Sequence, residues 1–281
     1  MEKARIRDPD YDPRTNPMVW GYAKGAGFRT VLIDGQSQGS MHNYVNTKEF
    51  ALIDEFVAAD SGVGTDFRIA ALLNERLARP GREFIYVVKR GAHFPYEMNY
   101  PRAMAAPDAP RTTKYVAAVS YATGGFFERL SPNLPFSNLL LIYTSDHGQD
   151  FNERAAHCNA HPKSEEYAVP LIGVTAAPAL TQLLGGSPLR DRASHLNIFA
   201  TVLYAFGYEQ GWLEDTYGPT LAGPASPYLT YVNLGWRPRG TSNDRHTVKA
   251  TDFVESTAFP RRDTSQAWRP MLNVTSDSKL P

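Results

Sequence analysis

The chain has 281 residues, of which 42% are hydrophobic and 21% charged. That is enough to bury a core as one large α/β domain, and it excludes a chain that is disordered throughout. Its 29 Lys and Arg balance its 29 Asp and Glu, so no global field recruits nucleic acid or an anionic membrane, and an anionic substrate must be held by local positive charge or metal.

The single cysteine, Cys158, forbids an intrachain disulfide. No run reaches the length of a membrane span, and the amino end lacks the apolar core of a signal peptide, so the sequence as written is expected to be soluble. Residues 1–16 are a turn-rich polar lead-in, Asp8-Pro9-Asp10-Tyr11-Asp12-Pro13 at its centre, with nothing resembling a first strand. A short helix is expected from Pro17 to Ala26, ended by Gly27. Phe28 to Asp34 is then a β-branched run bounded by Gly35. Phe50 to Ala59 and Asp66 to Ala78 both place apolar residues at helical spacing, the second starting at Asp66 and stopping at Pro80-Gly81.

Glu83 to Val88 is a compact apolar strand that runs into Lys89-Arg90-Gly91-Ala92-His93-Phe94-Pro95-Tyr96, a loop with Gly and Pro where a strand's carboxyl end would lie. An Ala/Pro-rich stretch from Ala103 to Pro110 precedes a long helix, Thr112 to Leu130, with Tyr115, Val119, Ala122 and Phe126 on one face. The apolar run Leu139 to Tyr143 follows, then a long loop, a strand from Ala168 to Val174, and a helix from Ser194 as N-cap to Phe206 with Gly207 at its end. Beyond Pro224 only Tyr228 to Leu234 reads as a strand, and residues 236–281 form a polar tail expected to pack loosely. Strands alternating with helices predict an α/β domain over residues 17–235, a mostly parallel central sheet with helices on both faces.

The most informative segment is Tyr143-Thr144-Ser145-Asp146-His147-Gly148, with His157 and His161 in the loop behind it. A buried strand delivers an adjacent Asp and His to a glycine turn, which is how a parallel sheet presents oxygen and nitrogen donors to a metal at its carboxyl edge. The bland reading is an Asp-His pair that caps the next element. His195 reads as a structural residue at a helix start, His42 and His246 as solvated, and Cys158 as a small, partly buried thiol. No internal repeat, Gly-rich phosphate loop, zinc-ribbon cysteine pairing or Gly-x-Ser-x-Gly elbow is present.

Taken in order, Gly27 to Gln36, His93-Phe94-Pro95-Tyr96, the long helix, Ser145-Asp146-His147-Gly148, His157, Val169-Pro170-Leu171 and Ser194-His195-Leu196-Asn197 resemble the sulfatase-like branch of the alkaline phosphatase superfamily over about residues 17 to 210. Within that branch the chain is most similar to catalytic domains of bacterial phosphoethanolamine transferases acting on lipid A, and less so to phosphoglycerol transferases of the lipoteichoic-acid type. The resemblance implies zinc, one or two ions, with calcium or manganese as alternatives. Asp146 and His147 would be ligands, together with a further histidine of the following loop. Pro162-Lys163 and the nearness of strand Val169-Pro170 favour His157, and the spacing leaves His161 open. His93 would sit beside the phosphoryl group, although Ala92 and Phe94 depart from the family's Ser-His-Gly-Pro segment. Lys89 and Arg90 are candidates to neutralise a phosphate or lipid headgroup; the bland reading is solvated charge at a strand end.

Enzymes of this type carry an acidic ligand and a Thr, Ser or modified Cys nucleophile on an earlier strand and helix. That region has no counterpart before the strand ending at Asp34. The expectation is a fold incomplete at its amino end, either the carboxyl-terminal portion of a longer enzyme with a membrane-anchored amino-terminal part, or a protein without activity. A self-sufficient alternative uses Asp34 as ligand with Ser37 or Ser40 as nucleophile, but the Gly35-Gln36-Ser37-Gln38-Gly39 loop does not open a helix that would hold the transferred anion.

The implied function is metal-dependent transfer of a phosphoethanolamine- or phosphoglycerol-type headgroup from a phospholipid or phosphoester donor to a lipid or glycan acceptor. The alternatives are a phosphatase or sulfatase of the same fold and a non-catalytic domain lacking the nucleophile. By analogy the protein faces the periplasm or the cell exterior.

Overall fold

The computed structural model describes residues 18–37, 45, 47–60, 62–130, 134–152, 157, 163–185, 193–224, 228–233 and 244–249, the last two segments by backbone alone. Helix α1 (Val19–Gly25) turns through Gly27, whose φ of 79° is a left-handed value that suits glycine, into strand β1 (Arg29–Asp34). Every residue of β1 after Arg29 is buried, as a strand covered on both faces requires. It is the centre of a three-stranded parallel sheet, between β2 (Glu55–Ala58) and β3 (Glu83–Val88), with Val31 opposite Glu55 on one side and Ile85 on the other.

The segment Phe50 to Ala59, expected to be helical, is mostly not. Only one turn, α2 (Thr47–Phe50), is helical, and the chain then enters β2. Its entry is tied down by Asp54, whose carboxylate accepts from the Thr30 amide at 2.9 Å. The backbone ladder that β1 offers outweighs a helical spacing too short to sustain itself.

Helix α3 (Thr65–Leu77) covers one face of the sheet, packing Ile69, Ala70 and Leu73 against Val31, Ile33, Ala59 and Phe126. The long helix expected after Ala103–Pro110 forms as α4 (Arg111–Ala118), a π-helical stretch Val119–Gly124, and α5 (Gly125–Arg129). Gly125 has a packing reason, because a Cβ there would overlap the Phe67 ring of α3.

Strand β4 (Leu141–Thr144) is followed by the one-turn α6 (Ser164–Tyr167), then β5 (Leu171–Val174) and α7 (Pro178–Gly185). The parallel order expected of the sheet holds for β2-β1-β3, whereas β4 and β5 pair with each other antiparallel, Leu141 opposite Val174 and Thr144 opposite Leu171. Among the described residues of the 145–170 connection the only helix is the single turn α6, and no crossover helix that would return the chain parallel is described there.

Helix α8 (His195–Ala205) begins at the expected Ser194 N-cap. With α9 (Gln210–Tyr217) and α1 it covers the other side of the parallel sheet, where Tyr22, Leu203, Phe206 and Leu213 pack with Phe28 and Phe84. Neither α7 nor α9 is announced by the sequence pattern. Strand β6 (Tyr228–Asn233) is joined by β7 (Asp244–Lys249) in an antiparallel pair. The polar sequence of β7 hid it, and the rest of the tail lies outside the described residues.

Candidate functional site

Strand β4 ends at Thr144, and the next residues fold into a tight polar turn. The Ser145 hydroxyl donates to the His147 carbonyl at 2.9 Å, and the His147 amide donates to Asp146 Oδ1 at 3.0 Å. These bonds turn Asp146 outward, with 86% of its side chain exposed, and put its Oδ2 3.7 Å from His147 Nε2. The turn is pressed against α6, where the Gly148 amide donates to the Glu166 carbonyl at 2.7 Å.

The loop behind this turn is closed at its base by an ion pair between buried Asp150 and Lys163, 3.2 Å apart. A hydrogen bond from the Asn152 amide is the largest influence holding the Asp150 carboxyl below its ordinary pKa. From that loop His157 lays its ring on His147, centroids 4.0 Å apart and planes 20° from parallel. Burial, and then the neighbouring His147, lower the pKa of His157, so its neutral form dominates near pH 7.

The tautomers follow from the acceptors. His147 Nδ1 lies 2.8 Å from the Gly148 carbonyl and His157 Nδ1 lies 3.1 Å from Gln149 Oε1. A carbonyl oxygen only accepts, so each Nδ1 carries a proton, and in the neutral form of the ring the lone pair is on Nε2. That is the pattern of metal-binding imidazoles, oriented by a hydrogen bond from the far nitrogen.

Zinc ligands at roughly 2.0–2.2 Å in a tetrahedron stand about 3.3–3.5 Å from one another. The Asp146–His147 separation is close to that bite, and His157 adds a third donor of suitable type. Among the described residues, however, no three such side chains are arranged as a ready-made metal cluster; the two imidazoles stack instead of converging on a point. His161, Cys158, Ser40 and His42 lie outside the described residues, and the side chain of His246, on β7, is not described.

His93 occupies an exposed loop beyond β3, near enough to His157 to disfavour its charging. The loop is held from within. Buried Asn99 donates to the His93 and Pro95 carbonyls and accepts from Arg90 Nε at 2.6 Å, while the Arg90 guanidinium also reaches Asp60 at 3.1 Å. Asp66, buried at the start of α3, accepts the Arg90 and Gly91 amides at 2.9 and 3.1 Å and pairs with Lys89 at 3.3 Å. Lys89 is packed over the rings of Phe126 and Tyr143, and burial lowers its pKa. Both basic residues thus have acidic partners within the chain.

Ser37 is buried and its hydroxyl donates to the Asp34 carbonyl at 3.4 Å, an enclosed position for an attacking group. His195 contacts Thr144 at the end of β4. The sequence pattern did not flag Gln149, Asn99 or Asp66, whose roles depend on tertiary neighbours. Only Asp66 left a trace, as the acidic start of a helix.

The sequence profile of the sulfatase family matches residues 3–208. Two solved structures share the fold. The C-terminal periplasmic domain of EcEptC from Escherichia coli is 16% identical with a TM-score of 0.56, the match covering 84% of this chain and 71% of that one. The same domain in complex with Zn is 16% identical with a TM-score of 0.54, covering 84% and 72%. No curated protein matches the sequence.

Proposed function

The chain belongs to the sulfatase family, and on that premise we propose that it is a zinc-dependent domain for phosphoryl-group transfer, moving a headgroup of the phosphoethanolamine or phosphoglycerol type from a phospholipid or phosphoester donor to a lipid or glycan acceptor. The observation that carries this reading is the Asp146–His147 pair after β4, with Oδ2 and Nε2 3.7 Å apart, and the His157 ring stacked on His147, each imidazole hydrogen-bonded through Nδ1. Imidazole nitrogen with one carboxylate oxygen is a donor set that suits zinc better than calcium or magnesium.

Asp146, His147 and His157 would hold the ion, His161 being the alternative third ligand. Bound zinc supplies Lewis acidity toward a phosphoryl oxygen. His93 donates a hydrogen bond to that group from the facing loop, and the Asn99–Arg90 brace holds the loop in place. Lys89 and Arg90 contribute positive charge beneath the loop, moderated by Asp66 and Asp60. Whether an acceptor hydroxyl or water completes the reaction separates transfer from hydrolysis, and the periplasmic setting is taken by analogy from the fold relative.

The test is zinc uptake by the metal-free chain, measured by equilibrium dialysis beside D146A and H147A. Stoichiometric uptake that both variants lose supports the reading; uptake indifferent to both overturns it. Phosphoethanolamine binding to the zinc-loaded chain, compared with ethanolamine alone, then tests the headgroup.

A further inference from the structure

We infer that His195 is a positioning residue for the Asp146–His147 turn, clamping the end of β4 from a fixed seat on α8. The contact is direct: His195 Nε2 lies 3.0 Å from the Thr144 hydroxyl. Thr144 and Ser145 are the two residues immediately before Asp146, so a displacement of either carries both donors with it.

The seat is rigid. Ser194 and Asn197 close a capping box at the start of α8, with the Ser194 amide 2.9 Å from Asn197 Oδ1. Asn197 Nδ2 donates to the Pro219 carbonyl at 2.9 Å, and the buried Thr201 hydroxyl donates to the Asn197 carbonyl at 2.6 Å while accepting the Leu221 amide at 2.9 Å. At its far end α8 is anchored to the parallel sheet by Phe206, whose ring lies 4.9 Å from that of Phe28 and 5.3 Å from that of Phe84. By contrast, among the described residues β4 shares a ladder only with β5. The sheet that leads to His93 and the strand that leads to Asp146 are separate hydrogen-bonded units; Tyr143 packs β4 against Lys89 and Phe127, and His195 adds a hydrogen bond at the strand's end.

This rests on reading Asp146 and His147 as metal donors, where a displacement of a few tenths of an ångström alters the bite. The clamp itself can be read without metal.

The experiment compares wild type, H195A, H195Q and T144V in the full chain, with two readouts: hydrogen exchange of the segment 143–148 in the metal-free protein, and zinc affinity by chelator competition. H195A and T144V are expected to raise exchange in that segment and weaken zinc binding, each about fivefold, the effect of one lost hydrogen bond. Exchange in the body of α8 should stay unchanged. H195Q, whose amide can reach the Thr144 hydroxyl, is expected to restore both. Unchanged exchange in H195A, or failure of H195Q to rescue it, overturns the clamp even where zinc binds normally. Increased exchange in a chain that takes up no zinc supports the clamp and overturns the metal reading instead.

Discussion

The Gly148 amide is bonded to the Glu166 carbonyl at 2.7 Å, and a Cβ at position 148 would overlap the adjacent Glu165 carbonyl oxygen. The turn that presents Asp146 and His147 therefore lies against α6 at a spacing only glycine permits, and the obstruction is backbone that cannot rotate aside. Gly148→Ala is expected to cost about 2 kcal/mol in urea unfolding and to weaken zinc binding at least about tenfold. An alanine variant with wild-type affinity would show that the turn and α6 need not be in register.

Gln149 acts on the site through His157, whose Nδ1 proton it accepts at 3.1 Å. Gln149→Leu keeps the bulk and removes the acceptor, so the imidazole is free to rotate or change tautomer. Zinc affinity should fall between about 10- and 100-fold, the usual effect of losing an orienting partner, with stability little changed. His157→Ala should cost more than its orienting partner does, and chelator competition on the two variants orders them. Equal affinities for wild type and His157→Ala would shift the third-ligand assignment to His161.

The acid limb of stability should carry the signature of Asp54. Its bond from Lys24, then that from the Thr30 backbone, hold its carboxyl at about 2 against an ordinary 3.8. A carboxylate depressed in the folded state binds its proton more readily when unfolded. Its stabilisation is thus fully present above the ordinary value and is lost as pH falls from about 3.8 through about 2. The urea midpoint of Asp54→Asn should lie below wild type at neutral pH, and the two curves should converge near pH 2. A gap that widens on acidification would reverse the sign and refute the assignment.

What could be read from the residues divides along physical lines. Strand β1 was legible because Val31-Leu32-Ile33 is buried from both sides, and α8 because Ser194 and Gly207 mark its ends. The Asp146-His147 turn was legible because an apolar run leads directly into two donor residues and a glycine. β2 was not, since four residues owe their strand conformation to a ladder that β1 supplies. Nor was the antiparallel sense of β5, because an apolar run reads the same in either direction and only its pairing with β4 fixes the sense. His195 was rightly placed at a helix start, but its partner Thr144 is 51 positions away, beyond the reach of any local pattern. Gln149 and Asn99 have partners only four to nine positions away, but in irregular loops whose geometry no helical or strand period announces.

Asn99 offers a way to separate the two halves of the proposed site. Its amide holds the His93 and Pro95 carbonyls and its oxygen receives Arg90 Nε at 2.6 Å, so Asn99→Ala leaves three polar groups to find new partners and should cost about 2–3 kcal/mol. The contacts lie within the loop after β3, and none of them involves Asp146, His147 or His157. Zinc affinity should accordingly stay within about twofold of wild type, while affinity of the zinc-loaded chain for inorganic phosphate falls about tenfold as His93 loses its fixed position. Titration calorimetry with each ligand reads the two effects separately. Parallel loss of both affinities would mean that Asn99 supports the fold as a whole, whereas loss of phosphate binding alone assigns His93 to the anion and leaves the metal to the turn beyond β4.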